Sequence, residues 1–276
     1  MTHFRTIDVK GMASAVLRDQ PQPMMIWAEL ADLVIDERYQ RTISTAGRRA
    51  IQRIADNFDW RRYQPILVAP SEGGKLAVVD GQHRAHAAAL CGIERLPAMT
   101  VPMTPSEQAA GFAAINRDQI RLSGLQIYRA ELAAGSAWAI DCREAVEAAG
   151  CTLATYNPSY ARRKAGEVYA IGLIRKMVAN GEAEAVTAGL RGIRESVSGA
   201  AADAYDGPIL SIWLPAIAAN QRFMRLPLRT VFDQIDFEEL FDTARSWVRQ
   251  NGGATRSYAI ERVRGILTDH LRRAAA

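Results

Sequence analysis

The chain has 276 residues, 34 Lys+Arg against 30 Asp+Glu for a formal charge of +4, 49 % hydrophobic and 23 % charged residues. That composition excludes general disorder and suits one large domain or two ordinary ones with a real core. Residues 1–104 hold 13 Lys+Arg against 11 Asp+Glu and the remainder 21 against 19, so neither part is a basic arm and the charge alone does not argue for nucleic acid.

Cys91, Cys142 and Cys151 fall in no zinc or C-x-x-C spacing and suit a reducing compartment. No apolar run reaches the ~20 residues of a membrane span, and the N-terminal stretch mixes charge throughout, so the expectation is a soluble cytoplasmic chain with no membrane partner. Residues 1–23, ending in Gln20-Pro21-Gln22-Pro23, are expected to be a loosely held leader.

Met24–Trp27 reads as a short strand, Ala28–Asp32 as a helical turn and Leu33–Ile35 as a second extended piece. Ser44 is placed to cap a helix over Thr45–Asn57, whose apolar stripe is Ala50, Ile51, Ile54 and Ala55. Pro65–Pro70 is a strand, Ser71–Lys75 a hairpin connection and Leu76–Val79 its partner. Asp80-Gly81 is turn chemistry, and the Ala/Leu-rich run after it is a helix that Gly92 stops; Leu96–Val101 is a further strand. From Thr104 the pattern turns helical: Thr104-Pro105-Ser106-Glu107 opens a helix, followed by helices from Ser123 and Ser136. A short extended segment over Cys151–Tyr156 precedes a long helix, Ser159–Asn180, and the series closes with Glu182–Val197, Pro208–Ala219, Leu228–Gln234, Phe237–Gln250 and Tyr258–Arg273. Trp213, Phe232, Phe237 and Trp247 sit at apolar helical positions expected in the core. The fold class is therefore α+β: a small mixed-sheet domain over residues 24–104 and an all-α domain over residues 105–276.

The chemistry concentrates at Asp80-Gly81-Gln82-His83-Arg84. A strand that turns sharply into a helix aims unpaired backbone N–H groups and the positive end of the helix dipole at one spot, which favours an anion and above all a phosphate. Gly81 allows close backbone approach, and His83 and Arg84 carry donors in the first turn.

With that unit, the upstream Arg38-Tyr39-Gln40-Arg41 and the helix between them, the stretch Met24–Val101 resembles the ParB/sulfiredoxin superfamily in its Asp-Gly-Gln-His-Arg variant. Phe112-Ala113-Ala114-Ile115-Asn116 and Leu122-Ser123 are similar to the helical extension of phage-type members. The resemblance implies that Gly81 and the N–H groups of Gln82 and His83 cradle a nucleoside triphosphate, CTP or ATP with Mg2+, that Arg84 pairs with it, and that Gln40-Arg41 lies on the rim. It departs from the ParB motif at Gln82, where relatives carry a glutamate, and at His83 and His86, where they carry arginines. Gln82 also occupies the cysteine position of sulfiredoxins, so sulfinic-acid repair is not expected. The functional expectation is a DNA-associated ParB-like protein that binds a nucleotide or phosphate, with a homodimer as a further partner state. The alternative is a metal-dependent nuclease or phosphotransferase using Asp80 or His83.

Each candidate has a plainer reading. His83 is either a phosphate ligand or a helix-start histidine bonded to Asp80. Arg41 is either a second phosphate contact or a salt-bridge partner of Asp36 or Glu37. Asp80, His83 and His86 share a helix face suited to a metal, or Asp80 simply caps the helix. Arg48, Arg49 and Arg53, with Arg61 and Arg62, either meet DNA phosphates or form a solvated face, and Arg162-Arg163-Lys164 poses the same question. The Glu144–Met177 region does not read as a helix-turn-helix, because Asn157-Pro158 interrupts the spacing.

Overall fold

The computed structural model describes residues 5–40, 42–118 and 122–274. The chain divides into two compact units, Met1–Ile120 and Arg121–Ala276.

The first unit is built on a five-stranded sheet: β1 (Met24–Glu29), β2 (Leu33–Val34), β3 (Ile66–Pro70), β4 (Leu76–Asp80) and β5 (Arg95–Thr100), in spatial order β1-β5-β3-β4-β2. The sheet is mixed. The β1–β5 and β3–β4 pairs are antiparallel, whereas β3–β5 and β2–β4 are parallel. The centre strands are short β-branched runs that suit a doubly covered sheet: Ile66, Val68, Val78 and Val79 are all fully buried. Three helices join them, α1 (Thr45–Asp56), α2 (Gln82–Leu90) and α3 (Pro105–Arg117). Ser44 Oγ accepts from the Gly47 N–H to start α1, and Thr104 and Glu107 form a reciprocal capping box at α3. Ahead of β1, residues 5–23 run exposed and without helix or strand.

The second unit is helical apart from one short strand pair: α4 (Gly124–Ala133), α5 (Ala137–Glu147), β6 (Thr152–Leu153), β7 (Glu167–Val168), α6 (Ile171–Ala179), α7 (Ala183–Glu195), α8 (Gly207–Ala218), α9 (Leu228–Asp233), α10 (Phe237–Asn251) and α11 (Thr255–Ala274). Its core centres on α8, where Leu210, Ile212, Trp213, Leu214 and Ile217 are almost wholly buried. Helix α7 packs close to α8 because Gly189 has no side chain. A Cβ there would lie 2.5 Å from Leu214, and the bare Gly189 carbonyl accepts from Trp213 Nε1 at 2.9 Å. The α+β architecture followed by helices is thus as the sequence pattern indicated.

Two expectations need correction. The long helix expected over Ser159–Asn180 is instead a 3-10 turn at Tyr160–Arg162, strand β7 and the shorter α6. Gly166 adopts φ +82, which a helix interior does not permit, and Thr152 then donates to the Gly166 carbonyl as β7 lies parallel to β6. Trp247 is not a core residue: it is 40 % exposed and stacks on Tyr258 with ring centroids 4.7 Å apart.

Candidate functional site

Strand β4 delivers the chain to Gly81, which is the N-cap of α2 at φ +101 and ψ 19. The position tolerates nothing larger, since a Cβ would meet Ile66 Cγ2 at 2.5 Å and Arg84 Nη2 at 2.9 Å. The left-handed turn aims the first-turn N–H groups of Gln82, His83 and Arg84 outward, with no acidic residue in that turn to neutralise the helix end. Asp80 does not cap the helix; no side chain does. Its carboxylate instead accepts from Arg84 Nη2 at 2.9 Å, one turn along.

Asp80, Gly81, Gln82, His83 and Arg84 line a concave site of about 200 Å³, together with Gln40 and, from α3, Phe112 and Asn116. Arg84 is held on two sides, by Asp80 and by Gln64 Oε1 at 3.2 Å from Nη1. Its Nε is buried and has no hydrogen-bond partner among the described residues. A guanidinium has five N–H donors, so Arg84 keeps capacity for an incoming anion. Tyr63, behind it, also has a buried hydroxyl without a partner, and burial pushes that phenol above its ordinary pKa.

Gln40 fixes the rim. It is 7 % exposed, and its Nε2 donates to the carbonyls of Val78 and Val79 at 3.0 Å each, so the 36–40 segment is stitched to the end of β4. Tyr39 adds a bond from its hydroxyl to Gln108 Oε1 at 3.2 Å and rests on Phe112. Arg38 takes Asp36, with Nε and Nη2 on the carboxylate at 2.9 and 2.5 Å, and holds that carboxyl below its usual range.

His83 lies against α1, with Nε2 3.3 Å from where a Gly47 Cβ would be, and also borders a second hollow of about 440 Å³ at the start of α1. His86 turns away from the site and bonds the Gln82 carbonyl through Nδ1 at 2.8 Å. Asp80, His83 and His86 therefore do not converge, and among the described residues no group of three or more His, Cys, Asp or Glu is placed to hold a metal. Arg41 lies outside the described residues. Arg48, Arg49 and Arg53 are exposed on the outer face of α1 and form no ion pair with a described residue, whereas Arg61 and Arg62 are tied to Asp59. Among the described residues no helix is long and apolar enough to cross a membrane.

The site residues not singled out from sequence are Phe112, Asn116 and Gln64. The first two are four apart on α3, so the segment already noted for its similarity to the family extension put them on one helix face. For Gln64 the sequence offers no signal.

The residues present fit a phosphate-bearing ligand on two counts, the cradle at Gly81 that a Cβ would fill and the orphaned Arg84 Nε. They fit a protein-held divalent cation poorly: Gln82 offers a neutral amide, and Asp80 is engaged by Arg84.

No family model matches the chain, and no curated protein matches it. Among solved structures, it is similar to the C-terminally truncated chromosome-partitioning protein ParB from Caulobacter crescentus complexed with CTP-gamma-S, at 16 % identity over 64 % of this chain and 96 % of that one, with a TM-score of 0.36. The same Caulobacter crescentus protein complexed to the centromeric parS site is similar at 14 % identity over 85 % of this chain and 96 % of that one, with a TM-score of 0.30. A Pnob8-like ParB-N domain in its C2221 form is similar at 10 % identity over 91 % of this chain and 98 % of that one, with a TM-score of 0.29.

Proposed function

We propose that the first unit is a ParB/sulfiredoxin-type module that binds a nucleotide or phosphate at Gly81–Arg84, in a protein that works in association with DNA. The observation that carries the reading is the α2 N-terminus, opened by a glycine at φ +101, free of acidic residues in its first turn and joined in one concave site by Arg84. Backbone N–H groups take the phosphate oxygens, Arg84 supplies the charge-assisted contact, and Gln40 fixes the rim. CTP and ATP are the ligands that the sequence resemblance names. Any Mg2+ would be carried mainly by the phosphate oxygens and water rather than by a protein cage. Arg48, Arg49 and Arg53 are the candidate DNA contacts of this unit, and a homodimer is the candidate assembly.

The enzyme reading as a nuclease or phosphotransferase has less behind it. Where it uses the Asp80 carboxylate, the Asp80–Arg84 pair at 2.9 Å must open first, and where it uses His83, no group of three or more His, Cys, Asp or Glu among the described residues is placed to hold the metal.

Thermal shift tests the proposal with CTP, ATP, GTP and inorganic phosphate, each with and without Mg2+, on the wild type and on Arg84→Ala. A ligand at one hundred times Kd adds about 2.7 kcal/mol, a shift of several degrees that the variant loses. No shift with any of the four ligands contradicts the proposal.

A further inference from the structure

The basic run Arg162-Arg163-Lys164 is not spent on the site above, and the structure divides it. Arg163 turns inward. Its Nη1 donates to Asp206 Oδ1 at 2.9 Å, and its guanidinium lies over the rings of Tyr169 and Tyr160 at 4.7 and 5.3 Å. The Tyr160 hydroxyl donates to the other Asp206 oxygen at 3.1 Å, and Tyr169 donates to Glu167. This cage pins the crossover between the parallel strands β6 and β7, which otherwise carries only the 3-10 turn. With Arg163 anchored, Arg162 and Lys164 on either side of it are exposed. They share a hollow of about 560 Å³ with Tyr156, Pro158 and Ser159, and Tyr156 is 51 % exposed.

We propose that the 156–164 crossover is a binding surface for single-stranded nucleic acid, with Arg162 and Lys164 on phosphates and Tyr156 under a base. Two cations with no ion pair among the described residues, beside an exposed aromatic ring and held on a clamped loop, combine the two contacts that recognise a strand without reading its sequence: charge along the backbone and a flat ring for an unstacked base. A duplex keeps its bases stacked and so uses only the charge. The single-strand preference therefore rests on Tyr156.

The test is fluorescence anisotropy of labelled dT20 and of a 20-base-pair duplex against the full chain over a KCl series. The variants are Arg162→Ala with Lys164→Ala, Tyr156→Ala, and the triple Arg48→Ala, Arg49→Ala, Arg53→Ala, each confirmed folded by circular dichroism. The expected result is that dT20 binds more tightly than the duplex. Tyr156→Ala then weakens dT20 about tenfold, and the Arg162/Lys164 double variant flattens the log–log salt slope by about 1.4 for two lost contacts to a single strand. The triple variant weakens the duplex more than it weakens dT20. The proposal is overturned if dT20 does not bind, if Tyr156→Ala binds it as wild type does, or if the triple variant rather than the double one abolishes binding.

Discussion

Replacing Gly81 by alanine tests the geometry on which the site depends. The substitution has two separable costs. A non-glycine residue at φ +101 carries left-handed strain of about 1–2 kcal/mol. The new Cβ also stands 2.5 Å from Ile66 Cγ2 and 3.0 Å from Ile66 Cβ, on a fully buried β-branched side chain of β3 that has little room to move. Overpacking of that kind costs about 1–3 kcal/mol. The sum, about 2–5 kcal/mol, is a large part of the stability of an ordinary domain. Gly73→Ala supplies the reference, because Gly73 has φ +66 and a Cβ there meets nothing within 4 Å, so only the strain is incurred. Two units need not unfold together, so the assay is hydrogen exchange of the β3 and β4 amides in the full chain, with the melting temperature beside it. Gly81→Ala should lose about 1–3 kcal/mol more protection there than Gly73→Ala. Equal losses in the two variants would refute the close approach of Ile66 to Gly81.

Gln40→Ala removes both bonds to the Val78 and Val79 carbonyls, and stability read by urea unfolding should fall by about 1–3 kcal/mol, with phosphate affinity falling as the rim loosens. Asp80→Asn should strengthen phosphate binding in a calorimetric titration, because it removes a negative charge at the α2 N-terminus and frees Arg84 Nη2; weaker binding would mean that the Asp80–Arg84 pair orients Arg84 for the ligand. The Glu107 carboxyl is held below its usual 4.5 by the N–H of Thr104 and, next, by its hydroxyl. A depressed folded pKa means that this stabilisation is present above about pH 4.5 and is lost as pH falls through the folded value, so Glu107→Gln should flatten that acid limb of the unfolding curve.

The strand–turn–helix that carries the proposed anion site was legible in the sequence because its determinants are local. Asp-Gly turn chemistry, β-branched residues before it and an alanine-rich run after it place a glycine N-cap between β4 and α2 with no help from the rest of the chain. Its walls were less legible, because they come from long-range packing. Gln40 bonds to carbonyls 38 and 39 residues away, Gln64 reaches Arg84 from 20 residues before it, and Phe112 and Asn116 arrive on α3. The partner of Asp80 was equally hidden. Spacing allows both a cap and a bond one turn along, and Gly81, by adopting φ +101 as the cap itself, leaves the carboxylate to Arg84. The break within Ser159–Asn180 has the same origin. Ser-Tyr-Ala-Arg-Arg-Lys has ordinary helix propensity, but Asp206, 43 residues on, draws Arg163 into its aromatic cage, and Gly166 turns the chain into β7.

An amide-resolved titration locates the proposed anion on the backbone itself. Full-length protein labelled with nitrogen-15 is titrated with CTP and, separately, with inorganic phosphate. The expected result is saturable shifts at the backbone N–H groups of Gln82, His83 and Arg84, with smaller ones at Gln40, and their loss in Arg84→Ala. Saturable shifts confined to other residues, with those three amides unmoved, would contradict it.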